Sequence, residues 1–208
     1  MKVLLVNGSP NADGCTFTAL KEVEKSLIED GIETEIFQIG KKPISGCIDC
    51  NVCASSGKCV FDDLVNEFVE KAKSCDGFIF GSPVYYAGAN GSITSLLDRV
   101  FHSNKKSDVF YLKPAAAVVS ARRGGTTAAL DQLNKYFLIS QMPVIASQYW
   151  NMVHGNTPQE VKQDLEGLQI MRTLGKNMAW FLKCKEAGEK AGVALPTQES
   201  RVSTNFIH

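Results

Sequence analysis

Four cysteines lie close together in residues 47–59, which read CIDCNVCASSGKC. Two residues separate Cys47 from Cys50 and Cys50 from Cys53, and five separate Cys53 from Cys59. Three thiolates at the short spacing let a loop wrap a cubane, while the longer gap brings the fourth thiolate round its far side. This spacing favours a [4Fe-4S] cluster. Free or redox-active thiols remain a second interpretation and zinc a third, although structural zinc sites usually use two short cysteine pairs separated by a longer finger.

Glycines, small hydroxyl side chains and a predicted helix start come together in residues 8–17, which read GSPNADGCTF. Free N–H groups at a helix N-terminus suit a phosphate. The segment has neither the Lys-Ser/Thr pair of a nucleoside-triphosphate loop nor a G-x-G-x-x-G pattern. A phosphate monoester held by backbone N–H groups and hydroxyls therefore suits it better. An ordinary strand-to-helix turn is the alternative.

Two further loops carry groups that suit a planar ring with negative charge. Residues 81–91, GSPVYYAGANG, place two tyrosines among glycines directly after a buried strand, although paired tyrosines are often only packing or interface residues. Residues 120–127, SARRGGTT, combine glycines with two arginines, one of which would stabilise negative charge on a reduced ring. The sequence does not decide between Arg122 and Arg123, and a solvated loop is the alternative.

Each of these three loops follows a predicted strand. Apolar, β-branched runs alternate with segments of helical period, which indicates repeated β-α units around a parallel sheet. In an open parallel sheet a ligand lies beyond the carboxyl ends of the strands, so the three loops are expected to share one edge. The predicted strands cover residues 3–6, 32–39, 77–80, 115–120 and 144–149, and a last helix starts at a capping box at Thr157 and runs to about Lys183.

The length of 208 residues indicates one domain, large enough to bury a core without disulfides. We expect this domain to cover residues 1–185 and to contain the cysteine-rich loop 46–60. A thinly apolar C-terminal tail follows at residues 186–208. Outside the loop, Cys75 and Cys184 lie on apolar patterns and are expected in the core.

Composition excludes several classes of protein. Lysines plus arginines number 22 and aspartates plus glutamates 22, without a basic stripe, so the electrostatic footprint of a nucleic-acid binder is missing. No segment approaches the ~18 apolar residues of a membrane span, and the N-terminal apolar run is too short for a signal peptide. We therefore expect a cytoplasmic protein with no nucleic-acid or membrane partner. A reducing compartment and an odd total of 7 cysteines argue against disulfides.

The motifs together resemble a known family. The loops GSPNADGCT, GSPVYYAGANGSITSLLDR and ARRGG are similar to those of the flavodoxin-like FMN reductases. With CIDCNVCASSGKC between the second and third strands, the chain resembles their iron-sulfur flavoprotein branch. The resemblance covers residues 1–180 in the order of the motifs. It implies a flavodoxin-like, doubly wound α/β fold, in which a five-stranded parallel sheet of order 2-1-3-4-5 lies between two helical layers, and a bound FMN.

The resemblance also implies roles for individual residues. One departure is Cys15, where the family often has asparagine; we expect an unreactive thiol there that donates a hydrogen bond. The cluster ligands would be the four cysteines Cys47, Cys50, Cys53 and Cys59. The FMN phosphate and ribityl chain would be surrounded by Ser9, Asn11, Gly14, Cys15, Thr16 and Phe17. The isoalloxazine would lie between Pro83, Val84, Tyr85, Tyr86 and Gly88 on one side and Ala121, Gly124 and Gly125 on the other.

Three functions are open at this point. The first is an oxidoreductase that relays electrons from a carrier such as ferredoxin through a [4Fe-4S] cluster to FMN and on to a small acceptor. The second is an NAD(P)H-dependent FMN or quinone reductase without a cluster. The third is a non-catalytic electron shuttle or a zinc-stabilised interaction module. Electron relay needs no general base, so no catalytic residue is assigned. The resemblance implies a homodimer or homotetramer in which one subunit's cysteine loop lies near a neighbour's flavin.

Overall fold

The computed structural model describes residues 1–200, 202–204 and 206, and shows a central parallel sheet covered by helices on both faces. The strands are β1 Lys2–Asn7, β2 Glu33–Gln38, β3 Gly77–Tyr85, β4 Gly88–Ala89, β5 Ala115–Ala121 and β6 Met152–His154. The helices are α1 Cys15–Glu29, α2 Cys53–Ser56, α3 Leu64–Lys73, α4 Gly91–Ser103, α5 Thr126–Ile139, α6 Pro158–Val161 and α7 Leu165–Lys190.

Two hydrophobic cores lie on opposite faces of the sheet, because successive side chains of a strand point to opposite sides. On one face, Leu4 and Val6 of β1 pack with buried residues of α3, α4 and α5. On the other face, Val3 and Leu5 pack with buried residues of α1 and α7. The predicted arrangement of α/β/α layers is therefore confirmed.

The sheet differs in detail from the predicted one. The prediction was five strands in the order 2-1-3-4-5, whereas the structure has six strands in the order β2-β1-β3-β5-β6, with β4 pairing β3 off this path. The additional strand β4 is antiparallel to the end of β3. It arises because Tyr86 and Ala87 adopt left-handed conformations, with φ of 49° and 60°, and so close a two-residue hairpin.

The last predicted strand, residues 144–149, is wrong. Only Val144 makes an isolated bridge, to Ala115, and parallel pairing resumes at β6. The segment between them is a polar turn, in which the Ser147 hydroxyl donates to the Tyr149 carbonyl oxygen at 2.6 Å and bonds the Asn151 side chain at 2.8 Å. Tyr149 and Trp150 are exposed, so these large side chains lie on the surface and do not mark a buried strand.

The single helix predicted from Thr157 is divided in two. The short α6 ends at Val161, and the Asp164 carboxylate accepts from the Gly167 N–H at 2.9 Å to cap α7, which runs on to Lys190. The predicted tail, 186–208, thus begins inside α7, and its positions 201, 205, 207 and 208 lie outside the described residues. Within the described part of the chain, no helix is both long and apolar enough to span a membrane.

Candidate functional site

The loop after β1 is held in place by two side chains at strand ends. The buried Asn7 donates its Nδ2 to the Asn11 carbonyl oxygen at 3.1 Å and to Gln38 Oε1 at 2.5 Å. Gln38 in turn donates to the Ser9 carbonyl oxygen at 2.6 Å, and the Ser9 hydroxyl accepts from the Asn11 N–H at 3.1 Å. Asn7 and Gln38 were not predicted from the sequence. A polar residue at the end of each of two neighbouring strands was the available signal.

The start of α1 is suited to an anion. Its N-cap, Gly14, is extended, and among the described residues no side chain accepts a hydrogen bond from the first turn. The early N–H groups of Cys15, Thr16 and Phe17 are therefore free to meet a ligand, at the positive end of the helix dipole. Thr16 is itself buried, and its hydroxyl bonds the Ser120 hydroxyl at 2.8 Å, which joins this turn to the end of β5.

Cys15 is held as a neutral thiol. Its Sγ donates to the Gly155 carbonyl oxygen at 3.7 Å. Burial raises the pKa of the Cys15 thiol, and the nearby charge of Glu160 adds to that rise, while a backbone hydrogen bond opposes it. This direction agrees with the expectation of an unreactive thiol that donates.

The end of β3 and the turn that follows it present aromatic side chains to solvent. Tyr85 is half exposed and Tyr86 is fully exposed, whereas Pro83 and Val84 are half-buried. The hairpin that carries the tyrosines is fixed at its far side, where the Ala89 N–H donates to Gln132 Oε1 of α5 at 3.0 Å. The tyrosines are thus not core residues of this chain, and their rings are free to contact a flat ligand or a neighbouring subunit.

The loop after β5 lies directly against this hairpin. Gly125 has a φ of 94°, and a Cβ at that position would lie 2.6 Å from the Ala87 Cα. Glycine is therefore required both by the backbone conformation and by the close approach. Ala121 is buried at the end of β5, whereas Gly124 and both Arg122 and Arg123 are exposed.

Asn90 joins these loops at the carboxyl edge of the sheet. This buried side chain donates its Nδ2 to the Gly8 carbonyl oxygen at 2.6 Å and accepts from the Ile93 N–H at 3.0 Å, which caps α4. The Gly8 N–H donates to the Gly81 carbonyl oxygen at 2.8 Å. All the residues predicted to contact FMN therefore lie in three segments, 8–17, 81–91 and 120–127, which include the adjoining ends of strands and helices and which the structure brings together. Their contacts with a flavin stay a prediction.

The four cysteines of residues 47–59 line one cavity. All are free thiols; Cys47 and Cys50 are exposed, and Cys53 and Cys59 are half-buried. The loop turns sharply because Asp49 and Asn51 adopt left-handed conformations, with φ of 50° and 57°. The rest of the cavity is lined by Ile48, Asn51, Val60, Phe61, Arg99, His102 and Ser103.

The cavity does not have the geometry of a site for a single metal ion. Within the described residues, no group of three or more His, Cys, Asp or Glu side chains is arranged to hold one ion. The zinc interpretation therefore gains no support from this geometry. A cubane cluster needs a different arrangement of ligands from a single ion. Each of its four irons takes its own thiolate, so the four cysteine sulfurs surround the cluster and do not converge on one point. Free cysteines around one largely apolar cavity are compatible with that requirement.

Cys59 is the most firmly held of the four cysteines. Asn66 of α3 accepts from its N–H and donates to its carbonyl oxygen, both at 3.0 Å. The Arg99 Nε donates to the Cys59 Sγ at 3.2 Å. Arg99 is only 1% exposed, and its other nitrogens donate to the two Asp63 oxygens at 2.7 and 2.8 Å. Its guanidinium also lies 4.7 Å from the centre of the Phe61 ring.

Arg99 was missed by the sequence analysis. Burial acts to lower its pKa, but the hydrogen bonds to Asp63 and Cys59 outweigh burial and raise the pKa above its ordinary value, so the guanidinium is charged. The available signal was an arginine in the apolar stretch of α4, three residues after the buried Leu96 and directly before the buried Val100. Such a residue is costly to bury unless it is paired.

Comparison with solved structures defines the class of this fold. RosB with a bound formylriboflavin phosphate intermediate matches with a TM-score of 0.69 at 14% identity, covering 100% of this chain and 94% of that one. A flavodoxin from the domain Archaea matches with a TM-score of 0.59 at 14% identity, covering 88% and 99%. At these identities the likeness shows the fold alone, which is flavodoxin-like.

Sequence comparison then gives the family. The chain belongs to the NADPH-dependent FMN reductase family, whose model matches residues 1–157. An iron-sulfur flavoprotein of Methanocaldococcus jannaschii is 36% identical over 192 residues, covering 88% of this chain and 98% of that protein. The resemblance inferred from the motifs is confirmed, and the chain is a flavin-dependent oxidoreductase with FMN as its cofactor.

Proposed function

We propose that this oxidoreductase carries a [4Fe-4S] cluster on Cys47, Cys50, Cys53 and Cys59 and relays electrons from a ferredoxin-type carrier through it to FMN and on to a small acceptor. The observation that carries this proposal is the single cavity lined by all four cysteines. The name of the M. jannaschii relative, iron-sulfur flavoprotein, supports it. When bound, the cluster would supply one-electron transfer and the flavin both one- and two-electron chemistry.

The residues of the carboxyl edge suit FMN in three ways. The first turn of α1 offers uncapped N–H groups to the phosphate, with Ser9 and Asn11 beside it. The exposed rings of Tyr85 and Tyr86 offer flat surfaces beside the isoalloxazine. The loop of Gly125 lies against the same hairpin, and its exposed arginines carry the charge that a reduced ring would need.

The residues of the cysteine cavity suit a cluster in two ways. Its lining is largely apolar, and Ile48, Val60 and Phe61 lie beside the sulfurs. The buried charge of Arg99 at the Cys59 sulfur offsets part of the negative charge of the thiolates. One helix connects this cavity with the flavin edge: α4 is capped there by Asn90, and Arg99 lies nine residues further on, about 14 Å along the axis.

A homodimer or homotetramer is part of the proposal. In it, one subunit's cysteine loop would lie near the flavin of a neighbour. Support comes from large aromatic side chains exposed on the isolated chain, which include Tyr86, Trp150 and Trp180. Light scattering of the purified protein tests the assembly, and a monomer at micromolar concentration would contradict it.

The family description favours a second candidate. An NADPH-dependent FMN or quinone reductase would use the same flavin edge and leave the cysteines without a cluster. Both candidates bind FMN at the three loops, but only the first holds a cluster in the cysteine cavity. They are therefore distinguished by what the cysteines hold and by the electron donor.

Anaerobic purification followed by absorption spectroscopy and analysis of iron, sulfide and FMN tests the proposal. We expect all three constituents, with about four irons for each FMN. The variant Cys53→Ser should lose iron, and its matched control Cys184→Ser, an exposed cysteine outside the cavity, should retain it. Flavin without iron or sulfide would overturn the cluster in favour of the second candidate, and zinc without flavin would overturn both.

A further inference from the structure

We propose that Arg99 and Asp63 form a charge pair that sets the reduction potential of the cluster through Cys59, with Arg99 as a positioning residue at the sulfur. This inference rests on the proposed function, because it requires the cluster to be present. It concerns side chains outside the cysteine motif.

The donors of Arg99 are divided among three partners. Both terminal nitrogens are used by the carboxylate of Asp63, at 2.7 and 2.8 Å, and one of them also donates to the Ser45 carbonyl oxygen at 3.3 Å. The Nε remains, and it donates to the Cys59 Sγ at 3.2 Å. Burial of an arginine requires a counter-charge, which Asp63 supplies. Burial of the arginine does not by itself require the Nε to face a sulfur.

The backbone around the sulfur is equally well defined. Asn66 holds Cys59 through its N–H and its carbonyl oxygen and also donates to the Phe61 carbonyl oxygen at 3.0 Å. Asp63 belongs to the same helix start, since its carboxylate accepts from the Val65 N–H at 3.1 Å and caps α3. The sulfur, the guanidinium and the carboxylate are therefore fixed relative to one another, while Cys47 and Cys50 lie on an exposed loop.

The sign of the effect follows from charge. Reduction adds one electron, donated by the carrier, to a group that is already negative. A hydrogen bond and a positive charge at a ligating sulfur stabilise the reduced form more than the oxidised form, so Arg99 raises the potential. Asp63 opposes this effect because its carboxylate partly cancels the guanidinium charge. Removal of Arg99 should lower the potential, and neutralisation of Asp63 should raise it.

Three variants test the pair by a redox titration of the complete protein followed by electron paramagnetic resonance. Arg99→Gln should shift the midpoint potential to lower values. Arg99→Lys keeps the positive charge but replaces the planar guanidinium with a single ammonium group, and should shift the midpoint potential less. Asp63→Asn keeps an oxygen to cap α3 and should shift the potential in the opposite direction. As a matched control, Arg172→Gln removes an arginine paired with Glu22 away from the cavity and should leave the potential unchanged.

The outcomes separate the inference from the proposed function. Iron and sulfide are measured on every sample first. A wild-type protein without a cluster would overturn both proposals. A wild-type protein with a cluster, together with variants whose potentials are unchanged or move in one common direction, would overturn this inference alone. If Arg99→Gln does not assemble, the sign of the shift in Asp63→Asn still decides, since that variant retains the cap and the guanidinium.

Discussion

The Asn90 side chain donates to the Gly8 carbonyl oxygen at 2.6 Å across 82 residues of sequence. One buried amide thereby joins the loop after β1 to the start of α4, which follows the loop after β3. Together with the hydrogen bond from the Gly8 N–H to the Gly81 carbonyl oxygen, this contact sets the spacing of two of the three loops at the flavin edge.

Replacement of Asn90 by alanine should therefore affect both stability and cofactor binding. The variant loses a helix cap, at about 1 kcal/mol, and leaves a buried carbonyl oxygen unpaired, at about 1–3 kcal/mol. We expect the free energy of unfolding of the FMN-free protein to fall by about 2–4 kcal/mol in urea denaturation. Asn90→Ser, which keeps a capping oxygen but is too short to donate to Gly8, should restore part of this stability. Equal FMN affinity in both variants and the wild type would contradict the role given to the contact.

Gly125 is the residue at which the third loop contacts the second. A methyl group there would meet the Ala87 backbone at 2.6 Å and would sit on a backbone with a φ of 94°. We expect Gly125→Ala to lower stability by about 1–3 kcal/mol through strain and to weaken FMN binding at least about tenfold by moving the hairpin. Flavin fluorescence quenching measures the affinity.

The neighbouring glycine provides the control for this prediction. A Cβ at Gly124 would meet no atom within 4 Å, and the residue is exposed. Gly124→Ala should leave the free energy of unfolding of the FMN-free protein nearly unchanged. If both alanine variants lose the same stability, the close approach at Gly125 is not the source of the loss.

The sequence predicted the elements whose signals are local. Val3 to Val6 form a continuous apolar run and became a buried strand, and the capping residue Thr157 begins a helix as predicted. The three loops were expected at one edge because parallel strands all end on the same side. The hairpin at Tyr86 escaped prediction because neither central residue of its turn is glycine or asparagine, the usual markers of left-handed backbone.

The contacts that organise the two sites were not predictable, because they are distant in sequence. Arg99 and Cys59 are 40 residues apart, and neither residue alone indicates the other. Cys184, expected in the core, is exposed because it falls on the outer face of the long α7, whereas Cys75 is buried as predicted. A burial pattern read over one turn does not say which face of a 26-residue helix meets the sheet.

Cys15 should react slowly with alkylating agents. Burial and the charge of Glu160 raise the pKa of its thiol, so the thiolate that attacks is scarce at neutral pH and increases as the pH rises. We expect mass-spectrometric peptide mapping at pH 7 to show Cys184, which is exposed, modified well before Cys15. Modification of Cys15 first would contradict the neutral, hydrogen-bonded thiol seen in the structure.

Glu35 of β2 should make stability depend on pH in the acid range. Hydrogen bonds from Lys2 and Lys71, each at 2.8 Å, lower the pKa of its carboxyl below the ordinary 4.5. A lowered folded-state pKa gives stabilisation that is present above the unfolded-state value and is lost as pH falls through the folded-state value. Urea denaturation should therefore show Glu35→Gln less stable than the wild type at pH 7 and the gap closing below pH 4.5. A gap that is constant with pH would exclude the carboxylate as its source.

Replacement of Cys59 should lower stability more than replacement of Cys47, even in the reduced, metal-free protein. Cys59→Ala takes the acceptor from the Nε of a buried arginine, and an unpaired buried donor costs about 1–3 kcal/mol. Cys47→Ala changes an exposed loop residue, so its effect should stay within about 0.5 kcal/mol. Urea denaturation under reducing conditions compares the two directly. No cluster is involved in this comparison. A clear loss of stability in Cys59→Ala alone would show that Arg99 needs that sulfur as an acceptor before any metal binds. Equal effects in the two variants would mean that Asp63 is a sufficient partner for the guanidinium.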